Sequence, residues 1–421
     1  MSIQINENVT LHYIPMPKLK TSAMGIYIHR PLTSDEAAKN GLIPFVLKRG
    51  TLKYQNTEEI SKKLDDLYGA TLRAGVIKKG LDHIISFTAE TISEKYAPYK
   101  EPLFLELTEL MLSVLLEPVT KDGAFLPEYV EQEKKNNIEN VENIINDKRS
   151  YAALRCCQEM FSGTDLAVSK YGTVEEIKAV NPKDLYEHYK NVLTSSPIDI
   201  ILSGEWEAEK IADMIKEAFS KLQLKCGEIK KTKAFVSDRE VRNFEESMEV
   251  AQGKLSMGFV TGIDSTSEEY WSMMVANSIF GGGAHSKLFN NVREKLSLCY
   301  YASSGMGRYD GAIVVNAGIE CENFKKAYDE ILVQLDDLKA GKVSELEYVS
   351  SINAIVNSLK SCRDDQYAMQ SFWLSEKVSG ENRDLDYVIE KIKNVSLDMA
   401  VEASKKIKLD TVYFLKGGTE G

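Results

Sequence analysis

The sequence predicts an α+β protein of two duplicated domains, each an antiparallel sheet packed with a helical layer. Three observations predict it. Short segments of alternating polarity interleave with long amphipathic stretches. The second half replays the first at a drifting offset, with a charged, aperiodic stretch between them. The length of 421 residues exceeds what one hydrophobic core usually serves, and two domains of about 200 residues fit the normal range.

Taken in order, residues 8–14 and 22–29 alternate as strands, and helices are expected at about 36–48 and 57–67. Residues 82–90 read as a strand, and helical patterns occupy about 95–115, 128–147, 149–161 and 182–193. A strand at 197–204 precedes an amphipathic helix at 207–222, whose stripe carries Ile211, Met214, Ile215, Ala218, Phe219 and Leu222. Gln223 to Glu246 reads as a linker. Gly50, Leu67 and Gly80 then recur as Gly281, Leu298 and Gly311, all at an offset of 231. Glu128-Tyr129-Val130 recurs as Glu347-Tyr348-Val349 at 219, and Asp184 as Asp398 at 214. Loop deletions would produce such a falling offset. The expected domains are therefore 1–222 and 247–421, joined by 223–246, as a clam-like pair with a cleft between them.

Composition excludes several classes. A net charge of −11 disfavours nucleic acid and anionic membrane surfaces. No run of about 18 apolar residues is present to span a membrane, and the start, MSIQINENVTLHYIPM, lacks the basic-then-apolar pattern of a secretory signal. Six cysteines, two of them adjacent and none in C-x-x-C, fit reduced thiols in a cytoplasm. No two of the five histidines lie three to five positions apart, so no helical His pair can bind zinc. No phosphate loop, dinucleotide fingerprint or nucleophile elbow occurs.

The informative stretch is Gly281 to Gly305, GGGAHSKLFNNVREKLSLCYYASSG. Three glycines lead into an amphipathic helix with Leu288, Phe289, Val292 and Leu296 on one stripe, and a strand-like segment follows Ser297. Arg293 and Tyr300 stand out. An Arg on an exposed helix face is most often solvated, and adjacent tyrosines in a strand are most often packing. Brought to one cleft, however, a permanent cation and a neutral phenol donor suit a carbonyl oxygen that gains negative charge.

This stretch, with the duplication, resembles the pitrilysin/insulinase family of inverted-zinc-motif metallopeptidases, in particular its mitochondrial processing peptidase-like small-chain branch. The most specific part is GGG-x-x-S-K-L-F-x-x-V-R-E-K-x-x-L-x-Y at 281–300, supported by KYGTVEEIKAVNPKDLYEHY at 170–189. Family members usually have Arg at the place of Lys287. Active members carry His-x-x-Glu-His on the first helix of the first domain. Here the matching segment is GLIPFVLKRGT at 41–51, about three residues short on this placement. Pro44 stands at the first His position, Leu47 at the base Glu, Lys48 at the second His and Asn140 at the third ligand. The resemblance therefore implies no zinc in this chain and no activity alone.

It also implies that Arg293 and Tyr300 bind substrate in trans, beside the zinc of a homologous zinc-bearing peptidase subunit. The expected partners are that subunit and an extended peptide, with no nucleic acid and no membrane, in the cytoplasm. The alternative is a purely structural peptidase-like protein in a larger complex, like the core proteins of the respiratory bc1 complex.

Overall fold

In a computed structural model, residues 2–417 are described except 221, 223, 224, 226 and 228, so Cys226 and part of the expected linker lie outside the described residues. The chain forms two compact units. Unit 1 holds 1–142, 168–231 and 362–378, and unit 2 holds 143–167, 232–361 and 379–421. The units differ from a cut at 222–246 because each sheet packs a helix contributed by the other half of the sequence.

The sheet of unit 1 runs, edge to edge, Ser2–Gln4, Val9–Pro15, Ile198–Gly204, Thr21–Pro31, Asp82–Ile92, Thr71–Lys79. That of unit 2 runs Arg242–Met248, Lys408–Gly417, Gly253–Val260, Ala312–Ile319, Cys299–Met306. Leaving aside Ser2–Gln4, both follow one order by chain position: first, fifth, second, fourth, third. In each the first and fifth strands are parallel and the remaining pairs antiparallel. The duplication is thus a shared topology, though each sheet carries one parallel pair where a purely antiparallel one was expected. Gly80 and Gly311 occupy the same hairpin turn and share a left-handed φ, +62° and +67°, a conformation that glycine adopts without steric cost.

Of the strands that went unread in the sequence, two of the longer ones lie at sheet edges. Thr71–Lys79 is a charged edge. Arg242–Met248 replaces the end of the expected linker, and its half-exposed, charged alternation is that of a protected edge strand. By contrast Thr21–Pro31 is buried on nearly every residue, as a central strand covered on both faces must be. On one face lie helices such as Ser34–Leu47 and Leu103–Leu116, within the main core. On the other lies helix Gln366–Ser379, whose Leu374 packs with Tyr27, Ile84 and Ile201. Helix Lys148–Met160 does the same in unit 2, placing Ala152 and Cys156 against Tyr413 and Leu415.

Candidate functional site

In unit 2 the site grows from the end of helix Tyr270–Gly281. A Cβ on Gly281 would lie 2.6 Å from the Ser304 nitrogen and 2.8 Å from a Leu288 methyl. Only glycine lets the helix end press this closely on strand Cys299–Met306. Buried Lys287 then pins the next turn, its ammonium 3.2 Å from Glu347 and bonded to the Lys342 carbonyl.

Leu288–Lys295 is a π-helix rather than the expected α-helix. Leu288 and Val292 are buried as the stripe predicted, but the wider turn leaves Leu296 44% exposed. π-turns concentrate at functional positions because they re-aim side chains. Ser297, at φ +50°, ends the turn and starts the strand.

Arg293 and Tyr300 line one open cleft of about 380 Å³, with Glu294, Ser297, Leu298, Cys299 and Glu320. The Arg293 guanidinium lies over the Phe289 ring, 4.6 Å from its centroid, and its Nε is 3.4 Å from Glu294. Tyr300 is 55% exposed. Its hydroxyl donates to Glu320 Oε1 at 2.5 Å, and that bond raises the phenol's pKa. The phenol's one proton is therefore already in use, which the expectation of a free donor did not include. Burial pushes the Cys299 thiol up to about 11 against the opposing pull of Arg293, so it stays protonated. Glu320 was not singled out in the sequence. It directly follows strand Ala312–Ile319, and the pairing of Cys299 with Ile319 brings it beside Tyr300, a register invisible without the hairpin.

In unit 1 the inverted-motif region lies on helix Ser34–Leu47, with Lys48 at its C-terminal cap. Pro44 and Leu47 are buried, and burial lowers the pKa of Lys48. Asn140 is exposed on helix Pro127–Asn143. The residue of that helix that reaches across is Asn137, 2% exposed, whose amide donates to the Gly41 carbonyl at 3.3 Å. None of Gly41, Pro44, Phe45, Leu47 and Lys48 supplies an imidazole or carboxylate. Among the described residues, no group of three His, Cys, Asp or Glu side chains could hold a metal ion. His83 and His188 serve structure. Both bond Asn40, at 3.3 Å and 2.8 Å, and burial lowers each to about 4, leaving them neutral.

Two units of one strand order, the second with an open cleft lined by Arg293 and Tyr300, give the chain a two-domain peptidase-like fold. The chain belongs to the M16, or pitrilysin/insulinase, peptidase family. Residues 179–355 match the family model described as "Peptidase M16 inactive domain". The chain is 33% identical over 415 residues to the probable inactive metalloprotease YmfF of Bacillus subtilis, covering 98% of this chain and 96% of that one. Its fold superposes on a conserved protein from Enterococcus faecalis V583 with a TM-score of 0.90 at 28% identity, over 100% and 99% of the two chains. It also superposes on a chain of complex III2 from Candida albicans with a TM-score of 0.72 at 17% identity, over 97% and 93%, a likeness of fold alone. No helix among the described residues is long and apolar enough to cross a membrane.

Proposed function

We propose that this chain is the non-catalytic subunit of a heterodimeric zinc peptidase, binding an extended peptide and presenting Arg293 and Tyr300 beside the zinc of a homologous partner. The observation that carries it is the convergence of Arg293 and Tyr300 on one open cleft in a chain whose described residues include no group of three side chains able to hold a metal ion. Zinc in such a pair would polarise the scissile carbonyl and activate water on the partner. This chain's part is to hold the peptide backbone, with Arg293 as a fixed cation facing a carbonyl oxygen. No disulfide joins the five described cysteines, in keeping with a reducing cytoplasm.

The test is a peptidase assay on this chain mixed with a zinc-bearing homologue from the same genome, each also assayed alone. Cleavage by the mixture, with none by this chain alone, supports the reading. Failure of the two to associate favours the second reading, a structural member of a larger complex, for which the likeness to the complex III chain is the supporting observation.

A further inference from the structure

The Tyr300–Glu320 bond has a consequence for what the cleft can hold. A phenol has one O–H, and here it points to the Glu320 carboxylate at 2.5 Å, the length of a charge-assisted O–H···O⁻ bond. What Tyr300 can then offer a ligand is its oxygen lone pairs. Arg293 offers only donors, since a guanidinium has no acceptor. The two residues line the same cleft, so its polar lining pairs a donor with an acceptor. An extended peptide carries the matching pair, because a residue in β conformation turns its own C=O and N–H to the same neighbour.

Resting on the proposed peptide-binding role, we infer that Glu320 is a positioning and specificity residue that fixes Tyr300 as an acceptor. The peptide is held by a backbone carbonyl on Arg293 and a backbone N–H on the Tyr300 oxygen. The cleft therefore requires a secondary amide at that residue and rejects one without an N–H, as in proline or an N-methylated residue. Glu320 acts through Tyr300 and need not touch the peptide.

The probe is a fluorescein-labelled decapeptide of alternating alanine and leucine flanked by lysines, with a series of the same peptide N-methylated at one amide at a time. Binding to the full chain is read by fluorescence anisotropy. The expected result is one position at which N-methylation raises Kd tenfold or more. Glu320→Ala, which frees the hydroxyl to turn into the cleft as a donor, removes that penalty, as does Tyr300→Phe. Glu320 is exposed, so both variants should melt like the parent. If the parent shows no position-specific penalty, or if Glu320→Ala keeps it, the inference is overturned while peptide binding stands. If the unmodified probe fails to bind, or binds Arg293→Ala and Tyr300→Phe as it binds the parent, the peptide-binding role itself falls, and this inference with it.

Discussion

Arg49 donates to Glu133 at 2.5 Å, tying the end of the first helix of unit 1 to helix Pro127–Asn143. The Asn137–Gly41 bond joins the same two helices. Glu133 is nearly buried and Arg49 about a quarter exposed, so the pair lies between the exposed and buried limits. Glu133→Ala should cost about 1–3 kcal/mol, read as a lower urea midpoint, because it leaves the guanidinium without its partner. A variant matching the parent would mean that the pair is solvated in solution.

The same arrangement predicts metal independence. The purified chain should hold no stoichiometric zinc, and EDTA should leave its Tm unchanged, since a structural zinc would contribute folding energy directly. One zinc per chain by metal analysis, with a chelator-sensitive melt, would overturn the assignment of positions 41–48 and 137–140.

Much of this was legible in the sequence, for physical reasons that differ by region. Arg293 and Tyr300 lie close in sequence on one turn and the strand after it, so local pattern alone set them near each other. The repeat was legible through Gly80 and Gly311, because a left-handed hairpin turn constrains residue type wherever it occurs. Strands Thr71–Lys79 and Arg242–Met248 were not, because edge strands carry charge and lose the apolar alternation that marks a strand. The exchange of helices 148–160 and 366–379 between halves was also invisible. An amphipathic stripe shows that a helix is covered, and does not name the sheet that covers it. Glu320 required the strand register.

Gln370 shows how helix Gln366–Ser379 is fixed to the sheet of unit 1. It is fully buried, accepts from the Tyr27 hydroxyl at 2.8 Å and donates to Ser203 Oγ at 2.8 Å. Burial holds the Tyr27 phenol far above its ordinary pKa. Gln370→Ala removes both bonds and leaves buried polar atoms behind, each costing about 1–3 kcal/mol. Gln370→Glu should be worse than neutral substitutions, since it buries a charge. Urea unfolding of both variants checks this, and a loss within about 0.5 kcal/mol, as at an ordinary surface site, would contradict the burial.

In the reconstituted pair, Arg293→Ala should lower turnover about 10²–10³-fold, the usual cost of losing a donor aimed at a developing oxyanion. Tyr300→Phe should cost less, because the ring stays and only the hydroxyl, already committed to Glu320, is lost. Assays with the zinc-bearing partner, alongside thermal melts, decide it. Parent-like cleavage by both variants would reduce the cleft to ordinary surface.

The last prediction concerns pH. His29 is almost wholly buried in unit 1, with Nδ1 2.7 Å from Asp82 and Nε2 3.2 Å from Asp199. Asp199 also receives His12 at 2.8 Å. Burial alone would lower the His29 pKa, but the carboxylates of Asp82 and Asp199 outweigh it and raise it to about 10. Burial likewise works to raise Asp199, and the two histidines outweigh it and hold that carboxyl far below the usual range. The signs follow from linkage. A group whose folded pKa exceeds its unfolded value, about 6.5 for histidine, contributes stability that is complete below pH ~6.5 and is lost as pH rises through about 10. Asp199 contributes above pH ~4 and loses its part only in strong acid. His29→Gln should therefore be less stable than the parent by about 3–5 kcal/mol at pH 6, the cost of breaking a buried pair, and the gap should close towards pH 10. Urea midpoints at pH 6, 8 and 10 measure that gap, and an NMR titration of the His29 imidazole reads the pKa directly should the variant not fold. A gap that stays constant across this range, or an imidazole titrating near 6.5, would show that His29 is neutral in the folded protein and that Asp82 and Asp199 do not hold its proton.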